Sequence, residues 1–176
     1  MKVKTIKVGE LKTNCYIIIK NNKCLIVDPG DEYEKIKREL DDIKLCGILI
    51  THHHFDHVGA LNQFKNDYKV KTYDYKDYSD DDKIISIEDF NFKMIETKGH
   101  SNDLVSFYFF EDELLFCGDF IFKETVGRCD LFGSDYNEML KSIDKIKQYN
   151  KDIVVYPGHG LSTTLIHEIN NNEYFN

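Results

Sequence analysis

The sequence predicts a mixed α/β (α+β) chain folded as a four-layer αβ/βα sandwich, two sheets face to face with helices outside. Two observations point there. Short runs that alternate or stay apolar, rich in β-branched and aromatic residues, recur in both halves of the chain. Helical patterns interrupt those runs in each half, so strands and helices are interspersed along the chain. No linker divides the 176 residues, so 1–176 read as a single domain, long enough to bury a core.

Lys2–Val8, Cys15–Lys20 and Lys23–Val27 are expected as antiparallel strands, with Asn21-Asn22 as a hairpin turn. Asp28-Pro29-Gly30 stops the third, and Asp31 opens a helix to about Leu40, with Ile36 and Leu40 on one face. Cys46–Ile50 reads as a short buried strand. A histidine-rich loop follows, then a helix over about Val58–Asn66. Further strands are expected at Val70–Tyr73, Ile84–Ile87, Phe92–Thr97, Leu104–Phe110 and Glu113–Cys117, while polar Asp74–Lys83 reads as a loop. A helix at about Tyr136–Tyr149 leads to a strand at Ile153–Tyr156 and a last helix near Ser162–Ile169.

Composition narrows the function. Apolar residues are 41% and charged residues 31%, the balance of a globular protein. A net charge of −8 disfavours phosphate backbones, so no nucleic acid partner is expected. No apolar run approaches the roughly 20 residues that span a bilayer, so no membrane association is expected. Met1–Ile6 lacks the apolar segment of a secretory signal. The 5 cysteines are scattered, odd in number and without a CxxC pair, which reads as reduced thiols in the cytoplasm. The sequence carries no signature of a particular oligomeric state.

The chemistry concentrates where predicted strands end. Thr51-His52-His53-His54-Phe55-Asp56-His57 is the first such place. In an extended segment residues i and i+2 face the same way, so His52 and His54 can grip one ion together while His53 points elsewhere. His53 therefore reads as a packing residue or hydrogen-bond donor. The chain then turns helical, which can swing Asp56 and His57 toward a second ion. Gly99-His100 and Gly158-His159 supply further imidazoles, and Gly118-Asp119 a carboxylate. Imidazole and carboxylate donors suit two divalent metal ions, zinc above all, with iron or manganese also compatible. Two ions roughly 3.5–4 Å apart need a bridge, and Asp119 is the candidate. His52, His54 and His100 with that bridge make one site; Asp56, His57 and His159 with the same bridge make the other. Gly-His and Gly-Asp taken singly are ordinary turns. Their conjunction, in this order and after these strands, is not.

With these residues the chain resembles the metallo-β-lactamase superfamily, whose T-H-x-H-x-D-H signature Thr51–His57 matches at every fixed position. It resembles in particular the small, single-domain branch of the glyoxalase II (hydroxyacylglutathione hydrolase) group. Asn14-Cys15-Tyr16, Val27-Asp28-Pro29-Gly30, Gly118–Phe122, Gly127–Asp130 and Pro157–Gly160 carry that likeness. The resemblance implies the metal ligands named above and places Arg128 at the substrate pocket. The usual G-H-T-P-G stretch is here Gly99-His100-Ser101-Asn102-Asp103, and the helical domain with which full-length glyoxalase II holds glutathione has no counterpart in these residues.

The expected reaction is hydrolysis of a small-molecule thioester, S-acyl-glutathione-like, or of an ester. Two cations lower the pKa of bound water from about 15.7 toward about 7, and the hydroxide attacks the carbonyl carbon, with Asp119 and Asp56 as the catalytic carboxylates and Asp56 orienting the nucleophile. A mononuclear-iron persulfide dioxygenase of the same fold is the alternative, as is a metal-dependent ester or lactone hydrolase. The full second ligand set argues against the dioxygenase. A β-lactamase is disfavoured because Asp119 stands where the commonest of those enzymes carry cysteine.

Overall fold

The central strands are apolar along their length because both of their faces are covered, whereas edge strands such as Lys2–Val8 alternate apolar with exposed charged residues. The computed structural model of the chain describes residues 1–79 and 83–176. Among these, β1 (Lys2–Val8), β2 (Thr13–Lys20), β3 (Lys23–Val27), β4 (Lys44–Leu49) and β5 (Thr72–Tyr73) form one sheet in that order. Side chains alternate across it with the period of 2 that a strand imposes. Cys15, Ile17, Cys24 and Ile26 pack outward against Ile36 and Leu40 of α1 (Tyr33–Leu40) and Phe64 of α3 (Leu61–Tyr68). Tyr16, Ile18, Leu25 and Val27 pack inward on the second sheet.

That second sheet contains β6 (Ile84–Ile87), β7 (Phe90–Glu96), β8 (Val105–Phe109), β9 (Leu114–Gly118), β12 (Val154–Pro157) and β13 (Thr163–Thr164). Phe92, Phe107, Phe109 and Phe116 fill the space between the sheets. Each fully buried aromatic of this kind contributes on the order of 2–3 kcal/mol of transfer free energy. The outer face carries Leu115, Cys117 and Val155, covered by Met139, Ile143 and Ile146 of α4 (Tyr136–Ile146) and Leu165 of α5 (Leu165–Asn171). The order helix, sheet, sheet, helix is the expected four-layer sandwich.

The differences from expectation are local. The helix expected over Val58–Asn66 is two pieces, α2 (Phe55–Val58) and α3, because Gly59 and Ala60 turn the chain against the Pro29-Gly30 backbone. The Ala60 N–H donates to the Pro29 carbonyl at 3.0 Å. A two-stranded hairpin, β10 (Ile121–Phe122) and β11 (Thr125–Val126), follows Asp119 unannounced. The last helix starts at Leu165, since Thr163 and Thr164 pair with Val155 and Val154. Within expected loop Asp74–Lys83 a short 3-10 turn spans Tyr75–Asp77, and residues 80–82 lie outside the described residues. Among the described residues no helix is long and apolar enough to cross a membrane.

One end of the sandwich is stitched across the sheets. Val105 N–H donates to the Thr51 carbonyl (2.9 Å) and Asn14 N–H to the Gly158 carbonyl (2.7 Å), while within the second sheet Gly158 N–H donates to the Gly118 carbonyl (2.8 Å). The segments after β4, β7, β9 and β12 all emerge there, and they carry Asp119 and every histidine except His167 of α5.

Candidate metal centre

At this end the expected ligands meet. His54 Nδ1 lies 3.1 Å from His52 Nε2 and 3.0 Å from His100 Nε2. Beside them His159 Nε2 lies 3.2 Å from Asp56 Oδ2, and His57 Nε2 lies 3.5 Å from the same oxygen. Asp119 sits between the groups: Oδ1 is 3.4 Å from His57 Nε2, while Oδ2 is 3.4 Å from His100 Nε2 and 3.6 Å from His159 Nε2. Among the described residues, three sets have donor atoms all within 4.8 Å of one another: His52, His54 and His100; His52, His57 and Asp119; and Asp56, His57 and His159.

The backbone enforces this convergence. Gly118 adopts a left-handed φ of 52°, turning the chain so that Asp119 points inward. A Cβ on Gly158 would run into Asp119 Oδ1 and the His57 ring, so only glycine leaves the carboxylate its place.

Outer partners fix which nitrogen each ring offers. Asp28 Oδ2 accepts from His57 Nδ1 at 2.9 Å and from Thr51 Oγ1 at 2.6 Å, and Asp28 Oδ1 accepts from the Thr51 N–H at 2.8 Å. With its proton committed to Asp28, the Thr51 hydroxyl accepts from His52 Nδ1 at 3.1 Å. His100 Nδ1 donates to the Arg128 carbonyl at 2.8 Å, and His159 Nδ1 to the Leu11 carbonyl at 3.1 Å. Each of these rings therefore turns an Nε2 lone pair inward. Thr13 Oγ1 donates to Asp56 Oδ2 at 2.8 Å and sets that carboxylate.

The electrostatics ask for a cation. Burial, reinforced by the neighbouring imidazoles His57, His54 and His100, holds His52 well below the ordinary histidine value. Burial and then His100 lower His54. Neutral imidazole is the metal-binding form. Burial also opposes charge on His57, yet Asp119 and Asp28 outweigh it and push the ring up to about 10. Burial opposes ionisation of Asp56 and Asp119 too, but His159 with His57 and Thr13 holds the first below the carboxylate range, and His57 with His159 and His100 lowers the second. Among the described residues, buried His57 Nε2 and Asp119 Oδ1 have no hydrogen-bond partner although they face each other. Orphaned buried polar atoms are costly, and a divalent cation between them would satisfy both. The donor set fits such ions.

Asp28, Thr51 and Thr13 as supports are additions to the sequence reading. Asp28 was expected only to end a strand, and its one local signal is a left-handed φ of 48°, uncommon for a residue other than glycine. His53 points away from the centre, its Nδ1 2.7 Å from Asp103 Oδ2. Arg128 approaches the centre through its carbonyl; its exposed guanidinium forks onto Asp130 at 2.6 and 2.8 Å.

The sequence pattern of the metallo-β-lactamase superfamily matches residues 8–79 and 74–159. The chain belongs to that superfamily. It is similar to the hydroxyacylglutathione hydrolase GloC of Haemophilus influenzae, 29% identical over 100% of this chain and 99% of that protein. Among solved structures of this superfamily fold it is similar to the B3 metallo-β-lactamase BLEG-1, with a TM-score of 0.94, 27% identity and 99% of each chain covered. It is also similar to a protein crystallised in a di-iron-bound form, with a TM-score of 0.87, 27% identity, and 97% and 99% of the two chains covered.

Proposed function

We propose that this protein is a two-metal hydrolase of small thioesters, S-acyl-glutathione-like in class, working in the cytoplasm. His52, His54 and His100 hold one ion in this reading, and Asp56, His57 and His159 the other, with zinc as the metal. The observation that carries it is Asp119, whose carboxylate reaches both groups, Oδ1 facing His57 and Oδ2 lying between His100 and His159. The likeness to GloC over nearly the full length of both chains supports the thioester class, and the di-iron neighbour makes iron the alternative metal. Free thiols at Cys15, Cys24, Cys46, Cys117 and Cys129 are consistent with a reducing compartment.

Bound divalent cations supply Lewis acidity, polarising a carbonyl and lowering the pKa of water toward neutrality. The chain's own groups do the rest. Asp56, kept ionised by its neighbours and held by Thr13, accepts a hydrogen bond from the attacking water and aims it. Water adds its oxygen to the acyl carbon, the C–S bond breaks, and a carboxylic acid and a thiol leave.

The test couples metal analysis to turnover of S-D-lactoylglutathione and uncharged thioesters. About two equivalents of metal with chelator-sensitive hydrolysis is the expected result. A loaded protein that hydrolyses no thioester contradicts it. Likeness to BLEG-1 favours β-lactam opening as a second reading, tested by cephalosporin hydrolysis with the same preparation.

A further inference from the structure

Two clefts flank the centre, and each shares one residue with it. The first, about 420 Å³, includes Asp56 and is walled by Leu11 and Phe55, with Glu10 and Asp31 at its edge. The second, about 340 Å³, includes His54 and lies between Tyr75 and Phe132, with Asn102 and Asp103 on its floor. A thioester whose acyl carbon lay over the centre would therefore have a cleft on either side for its two halves.

The walls differ in chemistry. Leu11 and Phe55 leave large apolar side chains uncovered, 55% and 77% exposed, where a soluble surface ordinarily hides such groups. Phe55 directly follows His54, so its ring is placed by the same backbone that places the centre. The second cleft combines polar groups with aromatic faces, and the Phe132 ring is fully exposed. Aromatic faces attract cations and accept neutral groups.

Charge is the deciding feature. Among the described residues no lysine or arginine lines either cleft, while Glu10, Asp31 and Asp103 do. Arg128 lines neither, and its charge is taken up by Asp130. Glutathione carries two carboxylates against one ammonium, and neither cleft offers those carboxylates a lysine or arginine.

Resting on the thioesterase reading but replacing its glutathione-like thiol, we propose that the substrate joins an apolar acyl group to a small thiol that is neutral or cationic. The acyl group lies against Leu11 and Phe55, and the thiol half between Tyr75 and Phe132.

The test uses the metal-loaded protein and one acyl group on thiols of different charge: butyrylthiocholine, S-butyryl-N-acetylcysteamine and S-butyrylglutathione. The expected kcat/KM is at least about tenfold higher for the first two. Asn102→Lys, which puts a cation at an exposed position of the second cleft, narrows that gap several-fold. Phe55→Ala lowers the butyrylthiocholine value more than the acetylthiocholine value. Equal or faster turnover of S-butyrylglutathione by the unaltered protein overturns the charge assignment while leaving the thioesterase reading standing. Equal losses for butyryl and acetyl substrates in Phe55→Ala overturn the acyl assignment. No turnover of any thioester by the loaded protein removes the thioesterase reading and this inference with it.

Discussion

The Asp28 carboxylate and the His57 ring form a buried hydrogen-bonded pair, Oδ2 to Nδ1 at 2.9 Å, with the Thr51 hydroxyl on the same oxygen. Asp28 touches none of the inward-facing nitrogens, yet it decides the tautomer of His57 directly and that of His52 through Thr51. Asp28→Asn keeps the size and loses the acceptor pair. We expect metal affinity to fall about tenfold to a hundredfold, the scale for loss of an outer partner, with unchanged far-UV circular dichroism. Competitive chelator titration measures it, and unchanged affinity would remove Asp28 from the account.

Gly158→Ala puts a methyl group on the Asp119 carboxylate and the His57 ring. The expected outcome is a protein that folds but retains at most one equivalent of metal by mass spectrometry of the eluted ions. Two retained equivalents would show that the close approach at Gly158 is not needed.

Phe92 is wholly buried between the sheets, with ring centroids 5.7 Å from Phe107 and 5.2 Å from Phe109. Phe92→Ala should lower unfolding free energy by about 3–5 kcal/mol, the usual range for emptying an aromatic core site. Urea denaturation of the metal-free forms reads it, and a loss below about 1 kcal/mol would place the inter-sheet core elsewhere.

Glu88, in the turn joining β6 and β7, accepts from Lys44 at 2.8 Å and Lys23 at 2.9 Å. Those two lysines lower its carboxyl from the ordinary 4.5 to about 2. A depressed folded-state value means the contribution is present above about pH 4.5 and is lost as pH falls through about 2. The stability gap between the natural chain and Glu88→Gln should therefore be small, steady above pH 5, vanishing toward pH 2, and reduced by salt because the groups are exposed. A gap that widens on acidification would contradict the assignment.

The fold was legible where local pattern and burial coincide. Ile17, Ile18, Leu25 and Ile26 are apolar on both faces of their strands because both faces are covered, and no other arrangement suits so many consecutive branched residues. The convergence of His52, His54, Asp56, His57, His100, Asp119 and His159 was legible because these residues sit at strand ends with short spacing. Asp28 was not, since its partners Thr51 and His57 are 23 and 29 residues away and its role lies in orientation. Strands of two residues, as in β10, β11 and β13, are too short to show a period. Glu168, which no sequence motif singles out, is fully buried, accepting from Thr163 Oγ1 (2.6 Å), the Glu124 N–H (2.8 Å) and Asn172 Nδ2 (2.8 Å) to tie the β10–β11 hairpin to the C-terminal helix.

Asp119→Ala tests the central claim most directly, because its carboxylate lies within 3.6 Å of rings from both ligand groups. Metal content and thioester turnover would be measured on the same preparations of both proteins. The account predicts about two equivalents in the natural chain, at most one in the variant, and turnover lower by at least about a thousandfold. A variant that keeps two ions and its activity would contradict a carboxylate-bridged centre.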